Sequence, residues 1–274
     1  MRAQSRMVLH RPHRWHVQED GTGETLILIH GAGGATQSWR GLFPILAQTH
    51  HVVAIDLPGQ GFTQLGAQGR CGLDAMAEDL LGLIRHLNLR PAALIGHSAG
   101  AAVALRLAEI GAVPGGRVIG INAALGNFKG VAGWLFPVLA KVLALSPFTA
   151  DLIARTMTES TVRNLLSGTG SRIDDAGVAL YLRLAGDRDH VDGTLSMMAQ
   201  WSLDALTARL PRFNVPVTLI AAEGDKAVPP ATSRDAARAI PGASLVGLPK
   251  LGHLCHEEDP QTVAALVLTA LRPF

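Results

Sequence analysis

The chain has 274 residues, of which 48% are hydrophobic and 17% are charged, and its formal net charge is +2. This composition excludes intrinsic disorder, which needs low hydrophobicity and high charge, and the small net charge argues against nucleic acid as a partner. No run of 18 uninterrupted apolar residues is present, so no membrane-spanning helix is expected. Two cysteines are too few for a disulfide framework, and the start carries no apolar signal segment, so a reducing cytoplasm is the expected compartment.

The first twenty residues are unusually basic. Four arginines precede the first acidic residue, Glu19, and three histidines are interleaved with them. This pattern predicts a frayed, solvated tail. The alternative interpretation is a contact with an acidic partner or an anionic membrane surface.

Short apolar runs then alternate with segments of helical periodicity. Strands are predicted at residues 26–29, 51–56, 92–96, 117–121, 217–221 and 244–248. Helices are predicted at residues 36–47 (with Thr36 or Ser38 as the N-cap), 73–87, 99–110, 232–240 and 260–271. Strands that are apolar throughout and alternate with helices indicate an α/β fold, with a mostly parallel sheet covered on both faces.

The alternation breaks once, over residues 126–210, which are helical in character and contain no convincing strand. A helical insertion before the last two strands is expected to cover the carboxyl ends of the sheet, where ligands bind in such folds. The sequence therefore predicts a core built from residues 1–125 and 211–274, with a helical cap at residues 126–210.

A motif for a nucleophilic serine lies between a predicted strand and a predicted helix. The string Gly96-His97-Ser98-Ala99-Gly100 has the G-x-S-x-G pattern of a nucleophile elbow, in the strand–turn–helix context that this interpretation requires. Ser98 would present its hydroxyl at the N-terminus of the helix, where backbone N–H groups favour developing negative charge.

A nucleophilic serine needs a base, and the base needs an orienting acid. Asp225 and His253 follow the last two predicted strands, in the chain order Ser, Asp, His that is expected for this architecture. We therefore predict Asp225 as the acid and His253 as the base. Glu223 is the rival acid, but it lies less deep in its loop.

The oxyanion needs two N–H donors. Ala99 is predicted to supply one, and Ala32, with Gly33 as second choice, is predicted to supply the other from the loop after the first strand. His30 is expected to brace that loop. Substrate contacts are predicted at two sets of residues, one in the loop and elbow and the other in the apolar cap: Gly31, Gly33 and His97, and Trp134, Met198 and Trp201.

Taken together, these motifs resemble the α/β-hydrolase superfamily over nearly the whole chain. Further strings resemble the magnesium-chelatase accessory hydrolases of bacteriochlorophyll biosynthesis. These strings are Trp15-His16-Val17-Gln18, Gly96-His97-Ser98-Ala99-Gly100-Ala101-Ala102, Ile121-Asn122-Ala123-Ala124-Leu125, Met197-Met198-Ala199-Gln200-Trp201 and residues 252–260, Gly-His-Leu-Cys-His-Glu-Glu-Asp-Pro.

The resemblance implies an accessory role in inserting magnesium into protoporphyrin IX in phototrophic bacteria. It also implies a hydrophobic substrate, with a tetrapyrrole as one candidate, a contact with magnesium chelatase, and a place at the periphery of the inner or photosynthetic membrane. The reaction of the triad is not something that the resemblance supplies. No organic cofactor and no metal are expected.

Other functions stay open at this point. A generic carboxylesterase or carbon–carbon bond hydrolase would use the same triad, whereas dehalogenases and epoxide hydrolases of this fold use Asp where this chain has Ser98. A porphyrin-binding or chelatase-docking module with an idle triad is a non-enzymatic alternative. The apolar run at residues 131–145 could also rest at a membrane interface.

Two motifs suggest cofactors or metals instead. The glycines of residues 31–36, with Asp56 after the next strand, mimic a dinucleotide fingerprint, but Thr36 occupies the place of the third glycine. Asp56 is better interpreted as a turn residue that hydrogen-bonds its own loop. The ligand-rich string at residues 253–258 invites a metal, yet no second ligand cluster accompanies it, and the start of a helix explains its acids.

Overall fold

The computed structural model describes residues 4–126 and 148–272, and within them eight strands form one sheet. The strands are β1 (Gln4–His10), β2 (His13–Asp20), β3 (Thr25–Ile29), β4 (His51–Ile55), β5 (Pro91–His97), β6 (Arg117–Ile121), β7 (Val217–Ala222) and β8 (Ser244–Leu248). Their order across the sheet is β1-β2-β4-β3-β5-β6-β7-β8. The six strands from β3 to β8 are parallel, while β1 and β2 are antiparallel additions at one edge.

Helices cover both faces of this sheet, which confirms the predicted fold class. They are α1 (Phe43–Leu46), α2 (Leu73–His86), α3 (Ala99–Glu109), α4 (Thr149–Thr156), α5 (Glu159–Gly168), α6 (Asp175–Ala185), α7 (Arg188–Gln200), α8 (Asp204–Arg209), α9 (Pro230–Ala239), α10 (Cys255–Glu258) and α11 (Pro260–Leu271). Successive side chains of a strand point to opposite faces, so Ile27 packs against α2 and α3 while Leu28 packs against α1 and α11. Both side chains are fully buried.

The N-terminal residues form an ordered hairpin, so the expected frayed tail is wrong. Val8, Trp15 and Val17 point inward from β1 and β2 and join the core, and this burial holds the hairpin in the sheet. Arg6, Arg11 and Arg14 are exposed, and Arg6 Nε pairs with Glu19 Oε1 across the two strands at 3.0 Å.

The first predicted helix is shorter and more broken than expected. Residues 36–47 contain one 3₁₀ turn, Thr36–Trp39, followed by the four-residue α1. The predicted cap is also wrong: the turn begins after Ala35 with no side-chain cap, and the N–H of Thr36 donates to Asp56 Oδ1 at 2.6 Å. Gly41, followed by a proline in the first turn of α1, explains the break.

Among the described residues between β6 and β7 there are five helices, α4 to α8, and α7 packs on the loops at the carboxyl ends of the strands. Gln60, after β4, donates its Nε2 to Met197 Sδ on α7 at 3.2 Å, and Gly193 lies against Gly59. The division into core and cap at residues 126 and 210 stays a prediction. Trp134 and the apolar run 131–145 lie outside the described residues. Of the helices described, none has the length and apolarity needed to cross a membrane.

Candidate active site

Ser98 lies in a strained turn between β5 and α3. Its backbone has φ 52° and ψ −119°, a conformation that residues other than glycine rarely adopt. The turn is held from both sides, because the N–H of Ser98 donates to Ile121 O at 2.9 Å and the N–H of Ala124 donates to Ser98 O at 3.1 Å. This is the geometry of a nucleophile elbow, with Ser98 only partly buried at the carboxyl edge of the sheet.

The glycines of the motif are needed for close backbone approach. A Cβ added to Gly96 would lie 2.3 Å from Gly100 O, and a Cβ added to Gly100 would lie 2.2 Å from Ile29 O. Any side chain at these positions would push α3 away from β3 and β5. The elbow can therefore form only because both flanks of the serine are bare.

We expect Gly100→Ala to lower the free energy of unfolding by about 3 kcal/mol, because the new methyl group meets rigid backbone. The matched control is Gly69→Ala, at an exposed position where an added Cβ meets nothing within 4 Å. It should change stability by less than about 0.5 kcal/mol. Urea unfolding of the two variants and the wild type measures both effects, and equal stability of the two variants would contradict the prediction.

Asp225 and His253, predicted as acid and base, are joined by a hydrogen bond. His253 Nδ1 lies 2.7 Å from Asp225 Oδ2, and Oδ1 of the same carboxylate accepts the N–H groups of Ala227 and Val228, both at 2.8 Å. Because a carboxylate only accepts, Nδ1 carries the proton of this bond and Nε2 is left as the acceptor. A general base must present that tautomer to a serine.

The rival acid, Glu223, is placed elsewhere. Its side chain is half exposed and its Oε1 forms an ion pair with Arg234 Nη1 at 3.0 Å. The Asp225 side chain is only 1% exposed, at the hydrogen-bonding distance from His253 given above. The geometry therefore favours Asp225.

His97 and Asn122 support the loop that carries His253. The carbonyl of His253 accepts hydrogen bonds from His97 Nε2 at 2.9 Å and from Asn122 Nδ2 at 2.8 Å. The ring of His97, which we expected to contact substrate, instead packs between the rings of His253 and His256 at 4.7 and 4.4 Å and is almost fully buried. Burial lowers the pKa of His97 well below its usual range and that of His256 to about 3, so both rings are neutral at pH 7.

Sequence reasoning missed the role of Asn122. This residue follows β6 with φ 46°, is buried, and accepts the N–H of Ala222 through its Oδ1 at 2.8 Å. It therefore ties the ends of β6 and β7 to the His253 loop. Its place at the carboxyl end of a strand was the one available signal.

The helical segment between β6 and β7 also contacts the loop that carries His253. The carbonyl of Thr169 accepts the N–H groups of Lys226 at 3.0 Å and His253 at 3.4 Å, so one peptide group touches the loops of both the acid and the base. Ser171 Oγ, almost fully buried, accepts the N–H of Leu254 at 2.8 Å. We call residues 169–174 the strap; its role was not predicted, because its residues match no motif.

The loop after β3 lies against Ser98. A Cβ on Gly31 would be 3.0 Å from Ser98 Cβ, and His30 braces the loop as expected, with its Nε2 accepting the N–H of Leu57 at 2.9 Å. The N–H of Gly33 already donates to Gln60 Oε1 at 2.8 Å, which favours Ala32 as the loop's oxyanion donor. Ala99, the other predicted donor, is the first residue of α3.

Two of the predicted cap contacts can be placed. Met198 lies on α7 and is about one-third exposed, whereas Trp201, at the end of α7, is half-buried against the core layer under α2 and α3. Trp134 lies outside the described residues. Contact of any of the three with a substrate stays a prediction.

The acidic residues of the dinucleotide-like pattern and of the string 253–258 are hydrogen-bonded within the fold. Asp56 is fully buried and accepts the N–H groups of Thr36 and Phe62, as well as a bond from His16, so it presents no oxygen to a ribose. In the string 253–258, Glu258 accepts backbone N–H groups and Glu257 bonds to a tyrosine and an arginine. Within residues 4–126 and 148–272, no three His, Cys, Asp or Glu side chains are grouped to hold a metal ion.

Comparison with known proteins agrees with the fold. Residues 26–266 match the alpha/beta hydrolase family, and the chain belongs to that family. A solved epoxide hydrolase, CorEH, superimposes with a TM-score of 0.82 over 98% of both chains. Its sequence identity is 20%, so this likeness concerns the fold alone.

Within that family, the chain is similar to a magnesium-chelatase 30 kDa subunit from Rhodobacter capsulatus. The identity is 48%, and the match covers 94% of this chain and 90% of that protein. A dihydrolipoyllysine-residue acetyltransferase component of an acetoin cleaving system from Pseudomonas putida is 32% identical, over 94% of this chain and 66% of that protein. The resemblance expected from the motifs is confirmed, both to the α/β-hydrolases and to a protein of the magnesium-chelatase system.

Proposed function

We propose that the chain is a serine hydrolase that acts as an accessory factor in the insertion of magnesium into protoporphyrin IX. The observation that carries the hydrolase part is the orientation of His253 by the buried carboxylate of Asp225, with the ring of His97, from the strained elbow at Ser98, packed against His253 at 4.7 Å. The accessory part rests on the 48% identity to a magnesium-chelatase subunit, which covers nearly the whole of both chains.

In the proposed reaction, Ser98 Oγ attacks an ester-like carbonyl carbon. His253 Nε2 takes the hydroxyl proton, and Asp225 stabilises the imidazolium that forms. The N–H groups of Ala32 and Ala99 hold the oxyanion of the tetrahedral intermediate. When this intermediate collapses, the bond to the leaving group breaks and His253 returns the proton to it. Water then enters by the same route, with His253 again as base, and releases the acid and free Ser98.

The first test is labelling with a small fluorophosphonate, in which Ser98 Oγ displaces fluoride from phosphorus. We expect a rapid adduct on wild type, mapped to Ser98, and no adduct at this position in Ser98→Ala. Ser202→Ala is the matched control, because Ser202 is an exposed serine beside a carboxylate without a histidine, and it should label like wild type. A folded wild type that leaves Ser98 unmodified contradicts the hydrolase proposal.

A non-enzymatic docking module is the second candidate, favoured by the fact that the similar protein is named as a chelatase subunit rather than as a hydrolase. The same variants decide between the two functions in a magnesium-insertion assay with protoporphyrin IX and purified chelatase subunits. If the hydrolase matters, wild type should stimulate insertion and Ser98→Ala should not. Equal stimulation by both proteins would make the module the better account.

A further inference from the structure

We propose that Ser5 is a second nucleophilic serine, activated by His16 and Asp56 at the opposite edge of the sheet from β8, and that it takes acyl or phosphonyl groups from small activated esters. This site shares no residue with the one around Ser98. It therefore stands or falls independently of the proposed function.

Three side chains form a continuous chain of hydrogen bonds there. Ser5 Oγ lies 2.7 Å from His16 Nε2, and His16 Nδ1 lies 2.7 Å from Asp56 Oδ2. The carboxylate only accepts, so Nδ1 carries a proton and Nε2 accepts the hydroxyl of Ser5. This is the order of groups that activates a serine, and here the serine-to-histidine bond is already formed.

The acid of this chain is held in place and charged. Asp56 is fully buried, and backbone N–H groups of Thr36 and Phe62 donate to it at 2.6 and 2.9 Å. Burial alone would raise the pKa of Asp56, but the bond from His16 and the nearby histidines and backbone donor hold it below its usual value. A carboxylate that is fixed and ionised can stabilise an imidazolium on its neighbour.

The base is equally well fixed. His16 is almost fully buried, and its backbone N–H donates to Thr63 Oγ1 at 2.9 Å. Its strand partner is Met7, and Ser5 is the diagonal neighbour on the same face of the hairpin, which explains why the hydroxyl reaches the ring.

The nucleophile is open to solvent. Ser5 is exposed on β1, an edge strand of the sheet; Met7, two positions along the strand, and Phe62, which contacts His16, are 36% and 68% exposed. The ring of Phe62 lies edge-on to that of His16 at 5.1 Å. Bracing of the hairpin accounts for the bond between His16 and Asp56, but it does not require an accessible hydroxyl at the other ring nitrogen. An open site with apolar walls suits small esters with short apolar or aromatic groups.

The step is an ordinary acyl transfer. Ser5 Oγ forms a bond to the carbonyl carbon while its proton moves to His16 Nε2, and the imidazolium is stabilised by Asp56. The bond from carbon to the leaving oxygen then breaks, and the leaving group takes the proton from His16. The product is an ester on Ser5, which water can hydrolyse to the free acid. With a fluorophosphonate, phosphorus takes the place of carbon and fluoride leaves.

The test uses Ser98→Ala protein treated with a small fluorophosphonate, with adducts mapped by peptide mass over time. Within the same molecule, we expect Ser5 to react at least about 100-fold faster than Ser202, which has no histidine partner, since a positioned general base is worth about 10²-fold or more. The second variant, Ser98→Ala with His16→Asn, keeps a donor for Asp56 Oδ2 but lacks the base. Its Ser5 should react about 100-fold more slowly.

Ser98→Ala with Ser5→Ala should lose the adduct mapped to Ser5, and Ser98→Ala with Ser202→Ala should keep it. If Ser5 and Ser202 react at equal rates in Ser98→Ala protein, where His16 is intact, the proposal is overturned. An unchanged rate in His16→Asn would overturn it too. Labelling of Ser5 with an inert Ser98 would support this site while removing the proposed function, and the reverse pattern would do the opposite.

Discussion

Asp225→Asn is expected to slow the reaction of Ser98 with a fluorophosphonate by about 10⁴-fold while leaving the protein folded. The reason lies in the backbone around the carboxylate. Because the N–H groups of Ala227 and Val228 both donate to Oδ1, the asparagine must keep its oxygen there. Its amide nitrogen then faces His253 Nδ1 and donates to it. The proton of His253 moves to Nε2, which can no longer accept the proton of Ser98.

The matched control for this variant is Glu223→Gln, which removes a carboxylate from the same loop. Glu223 is half exposed and pairs with Arg234, so we expect less than a threefold change in labelling rate. Both rates are measured by stopping the fluorophosphonate reaction at successive times and determining the intact mass of the protein. A similar loss in the two variants would mean that the loop, rather than the tautomer of His253, controls the reaction.

Stability is expected to fall by about 2 kcal/mol or more between pH 7 and pH 5. Burial lowers the pKa of His256 to about 3 and that of His190 to about 4, and it also lowers those of His30 and His97. The unfolded chain takes up protons at these histidines near pH 6.5 while the native chain does not, so acid favours unfolding. His256 and His190 each contribute about 2 kcal/mol over this range.

Glu257 opposes this loss. Burial raises its pKa to about 7, so the native state binds a proton that the unfolded state takes only near pH 4.5. Its contribution therefore stabilises the fold by about 2 kcal/mol as the pH falls from 7 to 5, offsetting about one histidine. Because several buried histidines act against this one carboxyl group, the net effect of lowering the pH is a loss of stability.

The variant His256→Phe tests whether His256 contributes to the loss of stability between pH 7 and pH 5. Neither ring nitrogen of His256 has a hydrogen-bond partner among the described residues, and its ring packs against Trp39 and His97 at 4.7 and 4.4 Å. A phenyl ring preserves this packing and cannot be protonated. Urea unfolding at pH 7 and pH 5 should show a loss about 2 kcal/mol smaller than in wild type. An identical loss in the two proteins would rule out His256 as a source.

The parallel sheet and the order of the motif residues could be predicted because each depends on a local pattern. Apolar runs such as residues 26–29 can only be buried on both faces, and the spacing of Ser98, Asp225 and His253 places them after strands that end at one edge. The hydrogen bond between Asp225 and His253 agrees with that reasoning. The catalytic roles stay predictions until the variants are measured.

What could not be predicted depends on partners far apart in the chain. The N-terminal sequence predicts a solvated tail because its many histidines and arginines obscure the alternation of inward and outward side chains. In the structure, Trp15 and Val17 point inward and are buried. The sequence predicts a substrate contact for His97, because no local pattern indicates that its ring packs against the ring of His253. Asn122 and the strap reach the segment around His253 through hydrogen bonds that span more than 80 positions, and no local periodicity indicates such contacts.

The strap has a consequence for how relatives of this fold can exchange parts. Thr169 and Ser171 belong to the helical segment between β6 and β7, yet they hold the backbone of Lys226, His253 and Leu254. A chimera that received its helical insertion from another family member would lose the register of its base unless the segment around His253 came from the same parent. Recombination that preserves the position of His253 is therefore restricted to crossovers that move both segments at once.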